Sequence, residues 1–235
     1  MADIALHRNV EEILHGYEGL VSADAPERQR TEDSITGRFS EMLKDYEQVF
    51  EPTKKKSVFL NEVFNRIDAF EKYVLSPAQI SGFFAETAMY DDSYWSSEIA
   101  GRVATKLVMA SYNSGFNGFY LDTTMHSNNH VGWIMHYAIA KPERPLEITI
   151  SGPVDIQCGF HVQHCRIKVE SIGSGFGGDA ESTVFRTRDR GIIRGMRKSI
   201  RKKSNNTICL INPDNTEQVV YPTWKDRVID VFRRK

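Results

Sequence analysis

Between residues 148 and 210 the chain repeats one short phrase, and that repeat narrows what its second half can fold into. Ile148-Thr149-Ile150 is followed by Gly152, Val154 and Gly159. The phrase returns as Ile167-Lys168-Val169, followed by Ser171, Gly173 and Gly178. It returns again as Phe185-Arg186-Thr187, with Gly195 beyond it, and after a longer gap as Ile208-Cys209-Leu210. Alternation puts every second side chain on one face of a strand, and glycine permits the tight bends between strands. Units of this kind are expected to stack as successive rungs, each covering the apolar edge of the one before.

The first half carries a different period. Leu6, Val10, Ile13, Leu14, Tyr17 and Val21 mark one face of a helix, and the polar stretch 22–34, with Pro26, is expected to be a loop. A second helix is expected over 35–50, with Phe39, Met42, Leu43, Tyr46 and Phe50 on one side, broken by Pro52 and Lys54-Lys55-Lys56. Ser57 is placed to cap a third, with Leu60, Val63, Phe64, Ile67, Phe70 and Val74 on its buried stripe. Ser76-Pro77 pairs a cap with proline at the first helical position, and a fifth helix over 96–112 should stop near Gly115. From Gly118 on, β-favouring runs at 119–121, 131–140 and 146–150 alternate with turn-formers. The expected organisation is a helical region at 1–115, a β-rich domain at 118–223 and a short helix or tail at 224–235, where a terminal element closes the stack.

The phrase Ile148-x-Ile150-x-Gly152-x-Val154, then Gly159 and Ile167-x-Val169, resembles the glycine-patterned right-handed β-helix of the C-terminal domain of glutamate synthase large subunits. The same repeat occurs in one of the subunits of formylmethanofuran dehydrogenase. Val162 stands where that pattern usually has methionine, and Cys165 where it usually has glycine. The segment Gly173-Ser-Gly175-Phe-Gly177-Gly178 is richer in glycine than the pattern demands, and Gly191-Ile-Ile-Arg-Gly195-Met196 lies within a heavily basic stretch. The resemblance implies a short right-handed parallel β-helix, and with the helical period of the N-terminal region, which has no counterpart in that family, the expected chain is α+β. In glutamate synthase that domain is structural, so it transfers no catalytic residue.

Several local clusters carry chemistry of their own. Cys158-Gly-Phe-His161-Val-Gln-His164-Cys165 holds two thiols and two imidazoles, the ligand types zinc prefers. Its spacing matches no standard zinc signature, and His164 and Cys165 would face opposite sides of an extended strand. The cysteines are better read as small apolar fillers, and no metal or cofactor is assigned. His126, His130 and His136 offer imidazoles that titrate near neutrality, but no nucleophile in a recognisable context accompanies them. Gly173-x-Gly175-x-x-Gly178 has the spacing of a dinucleotide loop, yet the residues beyond it lead into another strand rather than a helix.

Charge gives the remaining candidate. Residues 1–150 carry 14 Lys+Arg against 22 Asp+Glu, a net of −8, and residues 151–235 carry 16 against 9, a net of +7. Nine cations (Arg186, Arg188, Arg190, Arg194, Arg197, Lys198, Arg201, Lys202 and Lys203) face only Asp189. Such a strip suits an acidic partner chain, the protein's own acidic helices, or phosphates whose counterions it releases. Phe185 is the one aromatic nearby, so a base-stacking platform is not expected. No run approaches the roughly 18 apolar residues that span a bilayer, and Met1 to Arg8 has no signal-peptide pattern. Three cysteines suit a reducing cytoplasm. The expected function is a non-catalytic, cytoplasmic assembly or protein-interaction module, by self-association or with a partner; nucleic-acid binding through the strip is the alternative.

Overall fold

The computed structural model of the protein describes residues 32–50, 60–90, 94–126, 131–154, 157–170, 172, 176–200 and 205–222. The apolar stripe at 6–21, most of the expected loop at 22–34, the break at 52–56, Ser57 and the closing segment from Trp224 lie outside them.

Helix α1 (Glu32–Phe50) begins within the expected loop and buries Met42, Tyr46 and Val49. Helix α2 (Leu60–Asp68) tightens into a 3-10 turn (Ala69–Lys72), so its stripe Val63, Ile67 and Phe70 stays on one side. Ser76 closes a capping box at the start of α3 (Pro77–Thr87): Gln79 N–H donates to Ser76 Oγ, and Ser76 N–H donates to Gln79 Oε1. Helix α4 (Tyr94–Asn113) completes the helical part. No helix among the described residues is long and apolar enough to cross a membrane.

The remainder is a mostly parallel sheet, making the fold α+β. Strands β1 (Gly118–Asp122), β2 (Leu146–Ser151), β3 (Cys165–Val169), β4 (Val184–Thr187), β5 (Thr207–Ile211) and β6 (Glu217–Tyr221) lie side by side in chain order. Strands β1 to β5 are parallel, and β6 returns antiparallel. The repeated phrase sets the register: Ile148 sits opposite Ile167, Ile167 opposite Phe185, and Phe185 opposite Ile208. Phe119 adds one earlier partner, opposite Ile148. Alternate residues turn inward (Ile148, Ile150, Ile167, Val169, Phe185) into a core that runs without a break from Met42 to Tyr221.

Residues 131–140 form bridges rather than the expected strand. Ile139 bridges Gln163, and Gln163 bridges Glu181, in a second parallel ladder. Its backbone bends through left-handed positions that recur in columns: Met135, Gly159 and Gly177 (φ 60, 66 and 63°), then Tyr137, His161 and Asp179 (φ 60, 55 and 54°). Side-chain-bearing residues rarely adopt this conformation. Backbone bonds between layers hold them there, Gly159 N–H donating to Ile134 O (2.8 Å) and Gly177 N–H to Cys158 O (2.9 Å).

The segment Gly191 to Met196, expected as a bend, is instead part of helix α5 (Arg190–Ser199). Asp189 caps it by accepting from Gly191 N–H (2.6 Å), and Met196 anchors it in the core. This helix accounts for the long step between β4 and β5. At the other end of the sheet α3 packs along β1, covering the edge of the first ladder. Helix α4 crosses residues 132–135, where Met135 N–H donates to Thr105 Oγ1 (2.8 Å).

Candidate functional site

Six of the nine cations of the basic strip lie within the described residues; Arg201, Lys202 and Lys203 do not. Arg190, Arg194, Arg197 and Lys198 stand at i, i+4, i+7 and i+8 of α5, and so share one face of that helix. All four are exposed, whereas Met196 is buried and Ile192 packs against the core from the other side. Asp189, the one carboxylate of the stretch, is occupied as the cap. Arg197 and Lys198 complement the negative C-terminal end of the helix, but Arg190 opposes the positive N-terminal end, so helix stability does not account for it.

The other strip residues are partly engaged. Arg186 Nε pairs with Glu217 Oε1 (2.8 Å), Arg188 Nη2 donates to Asn215 Oδ1 (2.6 Å), and Arg197 Nη2 donates to Val220 O. Lys168 lies directly opposite Arg186 across β3 and β4, two like charges side by side. Among the described residues the strip makes no ion pair with the helices. Four of their carboxylates are held locally by cations, Asp45 by Lys72 (2.7 Å), Glu62 by Arg66 (2.6 Å), and Asp68 and Glu71 by Lys106 (2.8 and 2.6 Å).

The cysteine–histidine cluster does not converge. Cys158 and Cys165 are buried, and burial pushes both thiols up, Cys165 to about 12. His161 and His164 are half-exposed, and His161 stacks on Tyr137 (4.7 Å between ring centres) with Nε2 3.8 Å from Asp179 Oδ2. Among the described residues no group of three or more His, Cys, Asp or Glu side chains is placed to hold a metal ion. His126 is buried 4.6 Å from the Phe84 ring, and His130 lies outside the described residues. Of the glycine run, Gly173 and Gly175 also lie outside them. Gly177 serves packing: a Cβ there would lie 2.9 Å from Phe185 Cζ.

Of the candidate site residues singled out in the sequence, His136 alone lines the cleft of about 580 Å³ that lies between α2, α4 and residues 136–139. Arg102 projects into it with its guanidinium 3.8 Å from the centre of the Trp133 ring and 4.5 Å from that of Phe64, while its Nε donates to Glu98 Oε1 (3.2 Å). Lys106 bridges Asp68 and Glu71 at the rim. His136, stacked on Phe160, is pushed down to about 3 by burial and then by the charges of Arg102 and His161, which keeps its imidazole neutral. Tyr137 and Ile139 stand exposed on the wall. The residues come from α2, α4 and a bridge segment, joined only by the fold.

No protein-family model matches the chain, and neither a curated protein nor a solved structure matches it.

Proposed function

We propose that the protein is a non-catalytic interaction module: a short right-handed parallel β-helix, capped by helices, that holds an acidic partner protein on the basic face of α5. The β-helix assignment rests on two ladders that climb in step and on left-handed corners aligned in columns. The hand follows from the strong preference of parallel crossovers for right-handed connection. The resemblance to the glutamate synthase repeat agrees with both. Three buried, unpaired thiols support a cytoplasmic location.

The observation that carries the function is the exposed quartet Arg190, Arg194, Arg197 and Lys198, which no carboxylate among the described residues neutralises. A folded protein gains little by collecting like charges on one helix face, and an anionic surface gains much from meeting them. A second copy is one source of acidic surface, and sedimentation at low and high salt tells whether it is used. The nucleic-acid alternative draws on Lys168 beside Arg186, which extends the run of cations onto the sheet.

The test is the triple charge reversal R190E/R194E/K198E. Polyglutamate should bind the native protein at low salt and be lost in the variant, with the melting temperature unchanged. Equal retention by both proteins would remove the face from consideration. A DNA duplex held more tightly than polyglutamate, weakening by about 0.9 decades per contacted phosphate for each decade of salt, would reassign the face to nucleic acid.

A further inference from the structure

The helices cover one exposed sheet edge and leave another open. The edge of β1 lies under α3, but the first member of the second ladder, Ile139, faces the cleft. Gln163 N–H donates to Ala138 O and Ala140 N–H donates to Gln163 O, both at 3.0 Å. In a parallel ladder this pattern uses the groups flanking Ile139 and turns its own N–H and C=O away from the second layer, toward the cleft. Neither group has a partner among the described residues, and Ile139 is 53% exposed.

The neighbours decide what can use this edge. Tyr137 N–H is committed to Phe160 O (3.0 Å). Lys141 N–H donates to the Tyr112 hydroxyl (2.7 Å), and its carbonyl accepts from Arg144 N–H (3.1 Å). An added peptide strand needs donor–acceptor pairs at every second residue, and here one pair stands alone. A single adjacent N–H and C=O matches the edge of one planar amide or heteroaromatic ring. The cleft volume of about 580 Å³ suits a small molecule. Phe64, Val74, Met109 and Tyr137 give it apolar and aromatic walls.

Charge narrows the class further. Arg102 already holds Glu98, so an anionic ligand finds no free guanidinium. Lys106 is already shared by Asp68 and Glu71, so a cationic ligand must displace it. We propose that this cleft binds a small, uncharged, planar ligand with an amide-type donor–acceptor edge, the pattern of a nucleobase or a ring carboxamide, docked on the Ile139 backbone.

The experiment is saturation-transfer NMR on the full chain with four probes. Adenine and benzamide offer the edge; benzoate and N,N-dimethylbenzamide keep a ring but lose the donor, and benzoate adds a charge. Benzamide should be saturated, with affinity about ten-fold above its two donor-less counterparts, and adenine bound more tightly than benzamide would mark the ring as a nucleobase type. Met109→Trp should abolish binding by filling the cleft. Ile139→Pro, which deletes an N–H that has no native bond, should weaken it by a similar factor. The benzamide series tests the donor whatever the variants do to folding. Equal saturation of all four probes, silence from adenine and benzamide at millimolar concentration, or full binding by a folded Met109→Trp protein would each overturn the proposal.

Discussion

Replacing Gly101 by alanine adds one methyl group where the helical part meets the sheet. An ideal Cβ there would lie 2.0 Å from the carbonyl oxygen of Gly132 and 3.1 Å from the Ile134 nitrogen, both backbone atoms. Helix propensity alone predicts a gain of about 1 kcal/mol, because Gly101 sits inside α4. Restoring an ordinary C···O separation requires α4 to retreat by about 1.2 Å. That retreat stretches the 2.8 Å bond from Met135 N–H to Thr105 Oγ1 past breaking, leaving a buried donor at a cost of about 1–3 kcal/mol. Overpacking and the loosened stack of Arg102 on Trp133 add about 2 kcal/mol. The clash therefore wins, with a net loss of about 2–4 kcal/mol and a fall in melting temperature of about 5–15 °C. Gly82 is the matched control, since it too lies within a helix, α3, but its Cβ would come no closer than 3.9 Å to Phe39. Gly82→Ala should raise the melting temperature by about 2–4 °C. Calorimetry of both variants decides the matter: if Gly101→Ala melts at or above the native protein, α4 does not dock directly on residue 132.

His136 resists protonation to about 3, while the unfolded chain takes the proton near 6.5. The unfolded state thus binds more protons in between, so stability present above pH 6.5 declines as pH falls toward 3. His136→Phe should flatten that slope in urea-midpoint measurements, and an unchanged slope contradicts the assignment. Ser76→Ala removes the capping box of α3 and should cost about 1 kcal/mol by the same measurement. Phe185→Ala empties a fully buried site that touches Phe176 edge-on at 5.1 Å, and should cost about 3–5 kcal/mol. Cys158, Cys165 and Cys209 are buried with raised thiol affinities for their protons, so a thiol reagent should titrate none until the chain unfolds. Rapid native reaction at two of them would show that the layers open.

What the sequence made legible was what the core makes repetitive. Ile148, Ile167, Phe185 and Ile208 occupy equivalent positions because each must fill the same interior slot, and that need writes itself as alternation. Ser76-Pro77 was legible for a local reason, since a cap needs only its own first turn. The corners at Met135, Tyr137 and His161 were not, because left-handed backbone there is imposed by bonds to neighbouring layers on residues that do not favour it. Helix α5 was obscured by Gly191 and Gly195, poor helix formers that broke an otherwise helical spacing of isoleucine, methionine and arginine. Of the cleft only His136 was singled out as a candidate site residue, and not as part of a cleft, since Arg102, Lys106, His136 and Ile139 come together only when α4 crosses the first layer.

Both candidate surfaces sit where the repeat departs from its own step. Corners in the regular part recur at one fixed step, from Gly159 to Gly177 and equally from His161 to Asp179. The preceding step, from Met135 to Gly159 and from Tyr137 to His161, is longer. Its surplus includes the Lys141–Arg144 bridge that consumes the neighbouring backbone groups and leaves the Ile139 pair alone in the cleft. The step from Phe185 to Ile208 is also longer than the one from Ile167 to Phe185, and it holds α5 with its basic face. A layer of fixed cross-section has no interior room for extra residues, so an insertion must go outward, free of the constraint that sets the rungs. Residues released from packing in this way can carry charge or an unpaired backbone edge at little cost to the fold. Met196 and Ile192 hold one side of α5 to the core and leave its outward face free to carry cations, while in the helical part Asp45, Glu62, Asp68 and Glu71 are each held by a nearby lysine or arginine.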